Sequence, residues 1–290
     1  MSDTVLRATA GGDSVRIFVA NTSNTVNEAF KRHRTSPVVS AALGRTITAT
    51  AIMGTMLKND SDIVTATVKG DGPIGSMTVT ADAKGNVKGY AANAWIDLPL
   101  RENGKLAVSD AVGCGTLTVI KDLGLKEPYV GQINLISGEI AEDFTYYFAQ
   151  SEQTPSAVAL GVLVDRDYSI KCAGGFILQI MPEADEAIIS ALEAKIASIT
   201  SVTAMFEKGM TNAQILNEIA GDFSPKILDE IPIRFYCNCS KERVEKALIA
   251  VGREELEDIL QKEGQADLHC HFCNTDYHFD REDLLRLLGN

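Results

Sequence analysis

Four of the six cysteines in this 290-residue chain crowd into its last quarter as two close pairs, Cys237 with Cys239 and Cys270 with Cys273. Six cysteines are too few for a disulfide scaffold, and Cys114 and Cys172 stand alone. Two close pairs separated by a stretch long enough to fold back fit a tetrathiolate zinc site. Each pair offers two soft ligands from one short segment, and the return of the chain closes the tetrahedron. The expected metal is one Zn2+ held by Cys237, Cys239, Cys270 and Cys273. His269, His271 and His278 compete as imidazole ligands on paper. Four sulfurs already complete the tetrahedron, however, so the histidines are expected at the solvent face of a metal-knuckle turn.

The rest of the composition narrows the class. Apolar residues make up 45% and charged residues 23%, as in soluble globular chains. The 27 Lys and Arg against 39 Asp and Glu leave a net charge of −12, a surface that repels a phosphate backbone, so nucleic acid is not an expected partner. No stretch approaches the ~20 apolar residues of a membrane span, and the start MSDTVLRATAGGDSVRIFVA lacks a signal pattern. No membrane partner and a cytoplasmic location are expected.

Residues 1–180 read as a mixed α and β domain. Ser14–Ala20, Ile63–Lys69, Ser76–Ala81, Gly115–Lys121 and Gly161–Asp165 are short, rich in Val, Ile and Thr, and bounded by Gly, Asp or Asn, as strands are. Ser36–Leu57, with Pro37 near its start, predicts a mostly buried helix, and Asn24–His33 another before it. Strands outnumber helices and do not alternate with them regularly, which predicts an α+β fold with mainly antiparallel sheet. From 183 to about 206 the apolar residues Ile188, Leu192, Ile196, Ile199 and Val202 share one helical face, and Thr211 with Gln214 forms a capping box for a short helix that stops at Gly221. Residues 181–230 are thus expected as a helical linker whose stripes need a covering surface, and 231–290 as a small zinc-binding unit. In that last unit Ser240 and Asp280 are helix caps and Gly252 is a breaker.

Other motifs carry less. Gly70-Asp71-Gly72-Pro73-Ile74-Gly75 spells a dinucleotide fingerprint, but Ser76–Ala81 continues as a strand, not a helix, so the segment reads as a glycine-rich connection between strands. With no Gly-Lys-Ser/Thr loop, no nucleotide is expected. His33, the one histidine outside the cysteine-rich unit, reads as a polar helix-surface residue, leaving no base for a hydrolytic nucleophile. Cys114 and Cys172 lie in or beside strand-like segments and read as structural thiols with no assigned role. No catalytic residue is expected, and the chain does not read as an enzyme.

Zinc thiolates are also the form of sulfur that oxidants attack, and each sulfur here has neighbours close enough to convert a sulfenic acid into a disulfide. Metal binding supplies ~10–16 kcal/mol in small zinc-peptide systems, so a short unit that loses its ligands is expected to unfold. If that unit also covers the linker's apolar stripes, its unfolding bares an adhesive surface. The competing reading is a zinc-ribbon interaction or regulatory module with a permanent structural zinc. A zinc hydrolase is disfavoured because four cysteines leave no open coordination position.

Phe235-Tyr236-Cys237-Asn238-Cys239-Ser240 and Cys270-His271-Phe272-Cys273 resemble, in order and separation, the cysteine motifs of the 33-kDa chaperonin family, the bacterial redox-regulated heat-shock holdases. Ser36-Pro37, Ala42-Leu43-Gly44-Arg45, the 70–75 glycine segment, Gly89-Tyr90 and Tyr129-Val130-Gly131 resemble further family segments, so the similarity covers nearly the whole chain. Ala94 after Asn93 departs from it, standing where a proline is expected. The resemblance implies a cytoplasmic, ATP-independent chaperone, inactive when reduced and zinc-bound. It further implies activation by oxidation with zinc release, disulfides Cys237–Cys239 and Cys270–Cys273, dimerisation of the active state and unfolding client proteins as partners. The family's architecture, an α+β substrate-binding domain, a helical linker and a zinc domain, is the one expected here.

Overall fold

The computed structural model describes residues 2–182, 184–199 and 201–289. The chain divides into two compact units, Met1–Tyr236 and Cys237–Asn290. The first contains β1 (Thr4–Ala10), β2 (Val15–Asn21), α1 (Ser23–His33), α2 (Pro37–Thr55), β3 (Ile63–Gly70), β4 (Ser76–Asp82), β5 (Asn86–Ala91), α3 (Val108–Val112), β6 (Gly115–Asp122) and β7 (Tyr129–Asn134). It continues with α4 (Ala141–Gln150), β8 (Ser156–Val164), β9 (Ile170–Ile180), α5 (Glu186–Ala197), α6 (Val202–Glu207), α7 (Asn212–Ala220), β10 (Lys226–Pro232) and β11 (Arg234–Phe235). The second holds α8 (Lys241–Ala250), α9 (Arg253–Lys262), β12 (Ala266–Cys270), β13 (Thr275–Phe279) and α10 (Arg281–Leu288).

Two sheets build the first unit. One runs β10-β1-β2-β9-β8, the other β11-β5-β4-β3-β6-β7. Every pairing is antiparallel except the short β11–β5 contact, which is parallel. The α+β, mainly antiparallel architecture expected from the pattern is the one present.

Helix α2 lies in the main core, touching both sheets. Every residue of it except Pro37 and Arg45 is buried. Such a helix must satisfy its polar side chains internally, and Thr46, Thr48 and Thr50 donate back to the carbonyls of Ala42, Gly44 and Thr46 at 2.9, 2.9 and 2.7 Å. Its last turn carries no basic residue. Arg7 of β1 supplies the missing positive charge, its guanidinium donating to the Thr55 carbonyl at 2.8 Å.

The glycine segment is a tight connection between β3 and β4. Gly72 N–H donates to the Val112 carbonyl and Ile74 N–H to that of Ala111, so these amides are used inside the fold. A Cβ on Gly72 would lie 2.5 Å from the Ala111 carbonyl oxygen, and that close approach is why glycine stands there.

The stretch after β9 is only partly helical. The start of its first predicted helix, at residue 183, lies outside the described residues; α5, α6 and α7 follow, but 226–232 is strand β10 rather than helix. Gly221 ends α7, and the predicted capping box is present, with Thr211 Oγ1 accepting from Gln214 N–H at 3.2 Å. Leu192, Val202, Phe206, Ile215, Leu216 and Ile219 form a second core with the outer face of the first sheet. The linker stripes are therefore covered by the sheet of their own unit. The idea that the terminal unit is needed to cover the stripes gives way to this contact.

The second unit has its own small core of Leu248, Leu256, Leu260, Phe279, Leu284 and Leu287. Ser240, Gly252 and Asp280 take the roles expected of them: Ser240 Oγ accepts from Arg243 N–H, Asp280 from Asp283 N–H, and Gly252 separates α8 from α9 with φ +102°. Leu256 and Leu260 lie on α9 as foreseen.

Candidate metal centre

Two unlike segments deliver the four sulfurs. Cys237 and Cys239 flank Asn238 in the irregular stretch before α8, and the cap at Ser240 fixes where that stretch ends. Cys270 closes β12, and the chain then turns tightly. The Cys270 carbonyl accepts from Cys273 N–H at 3.3 Å and from Asn274 N–H at 2.8 Å, while Asn274 adopts φ +57°. Asparagine tolerates that left-handed conformation better than most residues, and it lets the chain reverse into β13 directly after the second sulfur.

The result is one cluster. The Sγ atoms of Cys237, Cys239, Cys270 and Cys273 all lie within 4.8 Å of one another. Cys237 and Cys270 approach to 3.8 Å and Cys239 and Cys273 to 3.0 Å, and no disulfide joins any of the six cysteines. A tetrahedron with ~2.3 Å metal–sulfur bonds has edges of about 3.8 Å. The cluster is of that size, and its uniformly soft donor set is consistent with zinc. Both of these approaches run between the two segments.

Sequence reasoning missed the neighbours that support the sulfurs. Tyr277, the third residue of β13, donates its hydroxyl to Cys239 Sγ at 3.0 Å. That hydrogen bond, with burial and the adjoining thiols, holds the phenol far above its ordinary pKa, so it stays a donor. Cys273 Sγ lies 3.2 Å from Thr275 Oγ1. The signal was present: Thr275 and Tyr277 alternate along a strand that starts two residues after Cys273.

His269 and His278 sit on the other face of this hairpin, and His271, in the turn, is exposed. His269 Nδ1 meets an Asp276 carboxylate oxygen at 2.6 Å and His278 Nδ1 meets Asp267 at 2.7 Å, opposite partners in the β12–β13 register and exposed. None joins the sulfur cluster. His33, half-buried, packs edge-on against Phe235. Cys172 is buried, whereas Cys114 is exposed, so the structural-thiol reading holds for the first and not for the second. Cys114 follows Gly113, whose turn at φ +75° carries the chain over Asp71 and leaves the thiol at the surface.

Fold and site define a class: an α+β body of two antiparallel sheets followed by a small unit with a four-thiol centre able to hold one soft metal ion. The chain belongs to the Hsp33 protein family, whose model matches residues 3–280. It is 53% identical to the 33 kDa chaperonin of Lachnoclostridium phytofermentans over 284 residues, 98% of this chain and 97% of that one. It is likewise 53% identical to the 33 kDa chaperonin of Clostridioides difficile over 289 residues, 99% of each. The crystal structure of the 33 kDa chaperonin (heat shock protein 33 homolog) of Thermotoga maritima superimposes with a TM-score of 0.92 at 36% identity, covering 100% of this chain and 98% of that one. The family supports a chaperone role, and with it the binding of unfolding client proteins. Among the described residues no helix is long and apolar enough to cross a membrane.

Proposed function

We propose that this protein is a redox-regulated, ATP-independent holdase of the cytoplasm, with residues 1–180 binding clients, 181–230 linking, and 231–290 acting as the switch. The observation that carries this reading is the convergence of four cysteine sulfurs, from two segments, within 4.8 Å. In the reduced state Cys237, Cys239, Cys270 and Cys273 hold one zinc ion, which ties the two segments together when bound. Peroxide takes two electrons from one thiolate to give a sulfenic acid and hydroxide. A second thiolate then displaces hydroxide from that sulfur to form a disulfide. Two such events consume all four donors, pairing Cys237 with Cys239 and Cys270 with Cys273 as the family resemblance implies, and the metal leaves.

A unit this short, with its few core leucines, then loses its principal constraint and unfolds. The chain entering it, 181–230, is freed at its C-terminal end. Helices α5–α7 detach, and the apolar outer face of the first sheet becomes the surface that captures unfolding proteins, the active form being a homodimer. The role is capture, without turnover chemistry.

The test is aggregation of a denatured model client in the presence of reduced protein, peroxide-treated protein, and peroxide-treated protein returned to reductant. Suppression by the second sample alone supports the switch. Equal suppression by all three removes it and leaves a constitutive chaperone, while zinc retained through oxidation favours the permanent-staple reading. Peptide mapping of the oxidised sample reads the disulfide pairs, and cross-segment bonds would overturn the pairing given above.

A further inference from the structure

Gly161 of β8 and Gly174 of β9 face each other directly in the strand register. Both lie on the outer face of the first sheet, alternating with Ala159 and Leu163 on one strand and Cys172 and Phe176 on the other. Glycine inside a strand weakens it and marks a place where something approaches closely. Here that something is α6. A Cβ on Gly161 would lie 2.3 Å from the Thr203 γ-methyl and 3.0 Å from a Val202 methyl, and one on Gly174 would lie 2.5 Å from two ring carbons of Phe206. The paired glycines thus form a notch in the sheet, filled by Phe206 and its neighbours one turn earlier. At its floor the Cys172 thiol donates to the Thr203 carbonyl at 3.7 Å. Helix α6 has only six residues and is too short to persist alone, so the notch is what holds it.

We propose that this notch is a client subsite, shaped for a helical turn with a β-branched residue followed four positions later by an aromatic side chain, and that α6 is its resting occupant. The proposal rests on the holdase reading and adds to it a preference that the reading lacks. A flat ring fits where two facing side chains are missing, and Phe206 belongs to the same apolar cluster as Phe176 and Leu163. Unfolding proteins supply such segments, because the buried stripe of an amphipathic helix is the first surface they expose.

The test uses the full chain and a fluorescein-labelled peptide copying residues 201–209, with a second peptide carrying alanine in place of the phenylalanine. In reduced protein, Phe206→Ala loosens α6 without altering the notch and is expected to bind the parent peptide at least tenfold more tightly than wild type. Adding Gly161→Ala fills the notch without touching the sheet's own backbone, and should weaken that binding at least tenfold. The alanine peptide should bind at least tenfold less tightly than the parent, both to Phe206→Ala and to peroxide-treated wild type, which serves if the variant does not fold. Equal affinity for the two peptides, or indifference to Gly161→Ala, overturns the proposal. Oxidised protein that suppresses client aggregation yet shows no peptide preference removes the notch and leaves the holdase standing. Notch-dependent binding to Phe206→Ala in a protein that never suppresses aggregation removes the switch and keeps the subsite.

Discussion

The Tyr277 hydroxyl points at the Cys239 sulfur from 3.0 Å, a neutral donor against a ligand that carries charge when a metal is bound. Partners of this kind typically contribute 10–100-fold to metal affinity by orienting the ligand and stabilising its anionic form. Tyr277→Phe is expected to lower zinc affinity about tenfold and to speed reaction of the cluster with peroxide, because the thiolate loses a hydrogen bond that tempers it. Competition with a coloured chelator measures the first, and the rate of zinc release the second. Unchanged affinity would make Tyr277 a packing residue only.

Stripping the metal from reduced protein should unfold one unit and spare the other. The core of Cys237–Asn290 is a handful of side chains, whereas Met1–Tyr236 holds two cores and both large sheets. With a strong chelator, hydrogen exchange across α8–α10 is expected to approach that of an unfolded chain while β2, β3 and α2 keep their protection. Protection retained in α9 and α10 would show that the small core suffices without metal.

The two lone cysteines give a direct reading of the linker. Cys172 lies under α6, and burial, with Glu207 nearby, pushes its thiol pKa up. Iodoacetamide should modify exposed Cys114 at least tenfold faster than Cys172 in the reduced protein, with the gap closing after oxidation. A thiol raised in the folded state favours folding below its unfolded pKa, and that contribution is lost as pH climbs through the folded value. Wild type should accordingly lose stability at alkaline pH relative to Cys172→Ala. Equal alkylation rates before oxidation would mean α6 does not shield the site.

Asp143 carries a structural load of another kind. Buried at 1% exposure, its carboxylate accepts from the amides of Ile136, Ser137, Gly138 and Ile140 at 2.8, 3.1, 3.4 and 3.1 Å. That grip holds Ile140 at φ +58°, a strained setting for a β-branched residue. Asp143→Ala is expected to destabilise the first unit by about 2–3 kcal/mol in urea unfolding, and Asp143→Asn by less, since it keeps one acceptor. No change would show that water replaces the carboxylate there.

Local signals were legible where one segment fixes its own fate. The capping box at Thr211, the breaker at Gly252, the buried helix after Pro37 and each close cysteine pair depend on near neighbours in the chain. What stayed hidden depends on distant partners. Strand β1 (TVLRATA) pairs with 226–232 across most of the chain length, and β10 itself is exposed along nearly its whole length, so it shows no alternation to read. The seating of α6 over two facing glycines follows from a strand register that no single segment encodes, and so does the Tyr277 contact.

The passage from β10 to β11 is fastened unevenly. Six rungs bind β10 to β1, only two join β11 to β5, and the first sulfur follows two positions after Phe235. Disorder arriving from the tail is expected to part the two-rung fastening before the six-rung one, so that loosening advances by stages, like a seam opened from its frayed end.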